Sequence, residues 1–295
     1  STSGRVHATT RRSDTLGGMH LVLASRSPAR RATLLSAGIT PIVMVSDVDE
    51  NEVLRRLKEA FSSSSNPSHE DPSPADQVLA LAQAKCLAVA DRLACASLDH
   101  TAVDEARAED RTHEDLIVVG CDSMFELDGV MYGKPHNRLT AIERIRSMQG
   151  RSGTLWTGHY VALLTAQSHN SIDEESASPL AGVKPSRAPE PAANTPKSTD
   201  VAYQVARTAG RSASTTVYFG SMTDEEIKAY VDSGEPLEVA GSFTIDGLGG
   251  AFVRGVEGDP HSVVGISLPL LRSMLAELDV FWPDLWDQHN RPNGH

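Results

Sequence analysis

The segment Ser25-Arg26-Ser27-Pro28-Ala29-Arg30-Arg31 lies between an apolar run and a helix-like one. Ser25 and Ser27 offer hydroxyls beside the free amides of a helix N-terminus, Pro28 suits the first helical position, and Arg30 and Arg31 follow one turn in. Amides, helix dipole and guanidinium groups together suit a polyphosphate. The same residues also make an ordinary Ser-capped helix with surface arginines. No G-x-x-x-x-G-K-[ST] run is present, so this is not a Walker A loop.

Four further segments carry chemistry of the same kind. Ser46-Asp47-Val48-Asp49-Glu50 sets three carboxylates after a strand, as ligands for a hard cation or as a solvated acidic loop. In Val118-Val119-Gly120-Cys121-Asp122-Ser123, Asp122 follows a buried strand, where α/β folds place ligands and where turns also favour Asp. Cys121 reads as packing rather than as a nucleophile, since no His neighbours it in sequence. Lys134, in Tyr132-Gly133-Lys134-Pro135, has a constrained backbone that can aim its ammonium at a phosphate, or is an exposed turn lysine; Lys85, mid-helix among apolar neighbours, is similarly ambiguous. The Gly-dense run from Ser233-Gly234-Glu235-Pro236 to Gly249-Gly250 lacks the strand and long helix of a dinucleotide fingerprint. No H-x-x-x-H or H-E-x-x-H pair is present, which argues against a zinc site.

Strands are expected at His20–Ala24, Ile42–Val45, Leu116–Gly120, Leu155–Thr165, Val201–Arg207 and Thr215–Gly220, and helices at Pro28–Ala37, Pro74–Ala96, Thr140–Met148, Asp224–Ser233 and Leu268–Leu278. Thr223 and Glu226 have capping-box spacing at the start of one helix, and Gly234 stops it. The alternation indicates an α/β fold. Two stretches interrupt it: 62–74 is a polar loop, and 167–200, rich in Ser, Pro, Ala and charge, is expected to be disordered.

The chain has 295 residues, about two small domains or one with insertions. Hydrophobic residues at 40% are enough for a core, and a net charge of −12 argues against a nucleic-acid polymer as partner. No apolar run approaches the ~18 residues of a membrane span. Three cysteines without a C-x-x-C imply a reducing cytoplasm. Residues 1–18 have no apolar signal core, and Met19 directly precedes the first strand, so 1–18 are expected to be a disordered leader or remnant, with the native start at Met19.

Taken in order, S-x-S-P-x-R-R, S-D-V-D-E, A-x-x-K, V-G-C-D-S, G-K-P, S-G-E-P, A-G-S-F and G-L-G-G resemble the Maf family, once named septum-formation inhibitors, over about residues 20–280; Ile117–His159, with Gly150-Arg151-Ser152-Gly153, is most similar to actinobacterial members. The resemblance implies an α/β fold like the inosine-triphosphatase architecture: a curved mixed sheet with flanking helices, two lobes and a central cleft, as one domain over 19–280 with insertions at 62–74 and 167–200 and a tail at 281–295. It implies a nucleoside triphosphate pyrophosphatase, a hydrolase of phosphoric anhydrides that uses a divalent cation (Mg²⁺ or Mn²⁺), forms a homodimer, and serves nucleotide house-cleaning or cell-division arrest. By the same resemblance Ser25, Arg30 and Arg31 bind phosphate, Lys85 and Lys134 face the triphosphate, Glu50 and Asp122 serve the metal, and Asp122 accepts the proton. Ser123, where many members have Thr or Gln, and Arg151-Ser152-Gly153-Thr154, where Gln and His are common, depart from the pattern and leave the nucleobase open. The competing expectations are a nucleotide-binding regulator of septum formation without turnover, and an interaction protein working through 167–200.

Overall fold

A computed structural model of the chain describes residues 19–63, 71–95, 114–167 and 202–290. The expected leader 1–18 and almost all of the 167–200 insertion lie outside the described residues.

The scaffold is one seven-stranded mixed sheet, curled and flanked by helices. Strands β1 (His20–Leu23), β2 (Ile42–Val43) and β3 (Leu116–Leu127) are joined in parallel, with β1 between the other two. The hairpin strand β4 (Val130–Tyr132), the long strands β5 (Ser152–Gln167) and β6 (Ala202–Phe219), and the short β7 (Val253–Glu257) pair antiparallel, giving the order β2-β1-β3-β5-β6-β7 with β4 on β3. The helices are α1 (Pro28–Ser36), α2 (Glu50–Ser63), α3 (Pro74–Cys95), α4 (Arg138–Met148), α5 (Asp224–Asp232), α6 (Pro260–Val264) and α7 (Leu268–Glu277).

Strand periodicity explains the core. Leu21, Leu23, Ile117, Val119 and Cys121 point to one face of the sheet, where Leu34 of α1 and Leu271, Met274 and Leu275 of α7 cover them. Val22, Leu116 and Val118 point to the other face, under Cys86, Val89, Ala90 and Leu93 of α3. Covered on both sides, the first half of β3 reads as a continuous apolar run. Its second half enters a different core: Phe125 and Leu127 join Ile145 and Met148 of α4 and Ile227, Tyr230 and Val231 of α5. Phe125, Phe219 and Phe243 meet there edge to face with centroids 4.9–5.7 Å apart. Asp122 and Ser123 therefore lie where β3 passes from one core to the other.

Several expectations change. β3 runs to Leu127 rather than Gly120, because its register with β5 continues unbroken from Leu116↔Leu164 to Glu126↔Thr154. It ends in a two-residue Asp128-Gly129 turn at φ 53 and 77, the left-handed geometry that hairpins favour. β6 is one strand where two were expected, since β5 pairs with it through the polar middle as far as Tyr160↔Gly210 and beyond. β7 was not expected at all; none of its residues is fully buried. Helix α2 was not expected; it starts on Glu50, the last residue of the acidic run, and takes in Ser62 and Ser63 of the expected polar loop. None of its side chains is fully buried, though Val53, Leu54 and Leu57 are half-buried along one side; Asp49 accepts from the Glu52 amide at 3.2 Å, and Glu52 pairs with Arg55 and Arg56 along it at 2.7 and 2.6 Å. The Thr223–Glu226 capping box is present, with bonds of 3.2 and 2.8 Å. Beyond residue 280 the chain still packs on the first core through Leu285, Trp282 and Trp286, and Asp287 holds Thr40 with two 3.0 Å bonds. Among the described residues no helix is long and apolar enough to cross a membrane.

Candidate active site

The site begins with the way α3 sits on the sheet. A Cβ on Gly120 would lie 2.3 Å from the Ala82 carbonyl oxygen and 2.7 Å from the Cys86 nitrogen; one on Gly158 would lie 2.1 Å from the Val78 carbonyl oxygen. Only glycine lets the helix backbone touch β3 and β5 at these two points. This contact brings Lys85, next to Cys86, over Asp122, which shares the sheet face of Gly120. The Lys85 ammonium donates to Asp122 Oδ1 and lies 2.7 Å from Glu50 Oε1. Lys85 and Asp122 side chains are 14% and 11% exposed, whereas that of Glu50 is 55% exposed. Burial pushes the Asp122 carboxyl above the ordinary range; Lys85 and Arg30 pull it back, and Glu50 adds to the rise.

On the neighbouring face, β1 ends and α1 begins. Ser27 caps α1 by accepting the Arg30 amide at 3.3 Å, with Pro28 in the first turn. Buried Ser25 accepts from the Ser27 amide at 3.2 Å and from Arg30 Nη1 at 3.1 Å. Arg30 Nη2 donates to Ser123 Oγ at 3.1 Å, and its Nε donates to the Gly265 carbonyl at 2.8 Å. Thr157 Oγ1 donates to the Ser262 carbonyl at 2.9 Å, so its 3.0 Å contact with Ser123 has Ser123 as donor. Protons thus run one way, Arg30 to Ser123 to Thr157 to Ser262. Asp122 and Ser123, adjacent on one strand, face opposite sides of the sheet, and each meets a cation there: Lys85 and Arg30.

Ser25, Arg30, Glu50, Lys85 and Asp122 are therefore brought together from the β1–α1 connection, α1, α2, α3 and β3. The other two sequence-expected residues are not. Arg31 is exposed on α1, and its side chain makes no hydrogen bond or ion pair with described residues. Lys134 is exposed beyond β4, 3.9 Å from Glu238. The acidic run Asp47–Glu50 divides by role: Asp47 lies 3.7 Å from Arg26, Asp49 supports α2, and only Glu50, as the first residue of that helix, reaches Lys85. In the Gly-dense run Glu235 is structural. Burial opposes its charge, yet Thr244, the Leu248 and Gly249 amides at 2.9 and 3.0 Å, and Tyr230 at 3.0 Å together hold its carboxyl below the usual range. Cys121 is buried and its thiol is pushed up to about 11 by that burial, in keeping with a packing role.

Sequence reading missed Ser123, Thr157 and Gly265 as parts of the site. Gly265 is 235 positions from Arg30, and no local signal links them. Among the described residues no group of three or more His, Cys, Asp or Glu side chains could hold a metal ion. Glu50 and Asp122 nonetheless direct carboxylate oxygens at one shared cation, Lys85, and two carboxylates completed by substrate phosphates and water suit a hard divalent ion.

A protein 37% identical over 273 residues, 92% of this chain and 96% of its own length, is the nucleoside triphosphate pyrophosphatase of Cutibacterium acnes. Another, from Nocardia farcinica, carries the same name and is 41% identical over 266 residues, 90% of this chain and 96% of its own. A fusion protein of Bifidobacterium longum, named nucleoside triphosphate pyrophosphatase/Nudix hydrolase, is 32% identical over 90% of this chain. The family described as Maf-like protein matches residues 20–181 and 197–278, the whole of the scaffold that carries the site, and the chain belongs to that family.

Proposed function

We propose that the chain is a nucleoside triphosphate pyrophosphatase, cleaving between the α- and β-phosphates to release a nucleoside monophosphate and pyrophosphate. The names of its relatives support the reaction class. The observation that carries the site assignment is the pair of cations, Lys85 and Arg30, held on either side of Asp122-Ser123 by partners that fix both.

Ser25, the first amides of α1, and Arg30 bind the triphosphate tail; the fork of Arg30, already held by Ser25, Ser123 and Gly265, loses little freedom when it does so. Lys85 neutralises charge gathering on the non-bridging oxygens, usually the largest catalytic contribution. Lys134 and Arg31 reach the substrate only from the outer edge, and their contribution is to affinity. Asp122 orients a water for in-line attack on the α-phosphorus and takes its proton as the new P–O bond forms; the bond to the bridging oxygen breaks and pyrophosphate leaves. Burial favours this role, because it raises the basicity of a group that is ordinarily a weak base near neutrality. Glu50 and Asp122 would hold Mg²⁺ or Mn²⁺, which when bound supplies charge neutralisation at the phosphoryl oxygens. The family resemblance further supports a cytoplasmic homodimer engaged in nucleotide house-cleaning or division arrest.

The test is a panel of ordinary and modified nucleoside triphosphates with Mg²⁺ or Mn²⁺, scoring pyrophosphate and orthophosphate separately. Pyrophosphate with monophosphate is expected. Orthophosphate with diphosphate, or binding without turnover across the panel, refutes the assignment.

A further inference from the structure

β5 grips one short turn at two points. Thr157 and His159, two residues apart, project from the same face of the strand. Thr157 holds the Ser262 carbonyl at 2.9 Å, and His159 Nε2 accepts the Ser267 amide at 2.8 Å. Between these anchors lies Gly265, whose carbonyl takes Arg30 Nε at 2.8 Å. Gly265 has φ 122, and a Cβ there would stand 3.0 Å from Arg30 Nε, so the arginine lies flat against the bare backbone. Ile266, next along, is fully buried, and Ser267 caps α7 by accepting the Leu270 amide at 3.2 Å.

We infer that His159 is a positioning residue: its unprotonated Nε2 fixes the Gly265–Ser267 turn, and through the Gly265 carbonyl that turn sets the direction of the Arg30 guanidinium. The inference rests on the proposed role of Arg30 in binding the triphosphate. It needs one tautomer. Because Nε2 accepts the Ser267 N–H, a neutral ring carries its proton on Nδ1. A second proton would put two donors face to face. The surroundings exclude it: burial and the Arg30 charge oppose protonation, and together they outweigh the Thr157 backbone and the Asp259 carboxylate, which favour it, leaving the ring at about 4. The histidine therefore stays an acceptor over the whole neutral range, unlike a surface histidine.

Three substitutions separate positioning from mere packing. His159→Leu fills the volume without an acceptor. His159→Gln restores one near the Nε2 position. Arg30→Ala removes the group being aimed. With a nucleoside triphosphate and with inorganic tripolyphosphate, His159→Leu is expected to raise KM and Kd by about fivefold or more, the scale of one lost hydrogen bond, with kcat changed far less. His159→Gln should stay within about twofold of the parent, and His159→Leu should add nothing in an Arg30→Ala background. An undiminished His159→Leu effect in that background, or a His159→Gln variant as impaired as His159→Leu, overturns the inference.

Two NMR measurements do not depend on turnover or on His159→Leu folding. Nitrogen shifts of the parent must show a pyridine-type Nε2 on His159, and Arg30 Nε–H must be protected from solvent exchange in both the parent and His159→Gln. A protonated Nε2, or an unprotected Arg30 Nε–H in the parent, also overturns it. If no triphosphate is hydrolysed by the parent, the proposed function fails while these NMR results still decide the role of His159.

Discussion

Asp122→Asn separates function from stability at this site. The substitution keeps shape and removes a charge. In the folded protein that charge is costly to bury, by several kcal/mol for an isolated ion, and contact with Lys85 returns about 4 kcal/mol at an effective dielectric near 20. The rise in the Asp122 carboxyl pKa says that burial wins this contest. Lys85 is not orphaned by the change, because Glu50 remains 2.7 Å away. The fold should therefore be unharmed or slightly stabilised, within about 1–2 kcal/mol at pH 7.5, against the 3–5 kcal/mol usual when a buried pair loses one member. The pH dependence has a definite sign. A carboxyl raised in the folded state weakens the parent as pH rises from the unfolded value near 3.8 through that raised value, so the Asn variant's advantage is full above the raised value and vanishes as pH falls toward 3.8. Turnover should drop by about 10²–10⁴-fold, or ~3–5 kcal/mol of barrier, the usual worth of a general base. Pyrophosphate release and denaturant melts at several pH values measure both. Near-parental kcat would remove Asp122 from the mechanism, and a loss above about 3 kcal/mol at pH 7.5 would show that the ionised carboxylate supports the fold.

Arg30→Ala should chiefly raise KM, since the contact serves bound substrate and transition state alike, and steady-state kinetics with a loss confined to kcat would contradict this. Arg30→Lys should rescue little, because one ammonium cannot reproduce a fork with three fixed acceptors. Gly120→Ala should destabilise by about 1–3 kcal/mol and also depress activity, because its methyl would meet helix backbone that can move only by carrying Lys85 away; an active variant with an unchanged melt would refute that close contact. His159 makes acid stability predictable: the unfolded ring takes a proton near 6.5 and the folded one only at about 4, so stability should fall by about 3 kcal/mol as pH drops across that window. A His159→Gln variant should lack that slope, which paired melts at pH 4 and 7 would reveal.

Local pattern was a good guide to some elements. The α1 start at Ser27-Pro28, the Thr223–Glu226 box and the apolar half of β3 follow from capping chemistry and strand periodicity within a few residues. Where it failed, distant pairing had overridden local preference. Asp122 to Glu126, which opens on Asp and Ser and ends on Glu, holds a strand because β5 supplies every partner. The middle of β6, with Gly210 against the ring of Tyr160, is another. Helix α2 does carry an apolar stripe, with Val53, Leu54 and Leu57 half-buried on one side, but the acidic run at its start and its many charges read as a solvated loop.

The residue types were legible in the chain alone: a capped helix start with Ser25 and Arg30, lysines in constrained settings, and acids after strands. Those types are enough for phosphate chemistry, since charge and hydrogen-bonding capacity belong to the side chain wherever it lies. Which of them meet was decided by the fold. Glycines 120 and 158 bring α3 close enough to set Lys85 on Asp122, while Lys134, equally suitable by type, lies beyond β4 beside Glu238. Convergence depends on backbone approach and strand register between segments far apart in the chain, and nothing in the local sequence around any one of them records that.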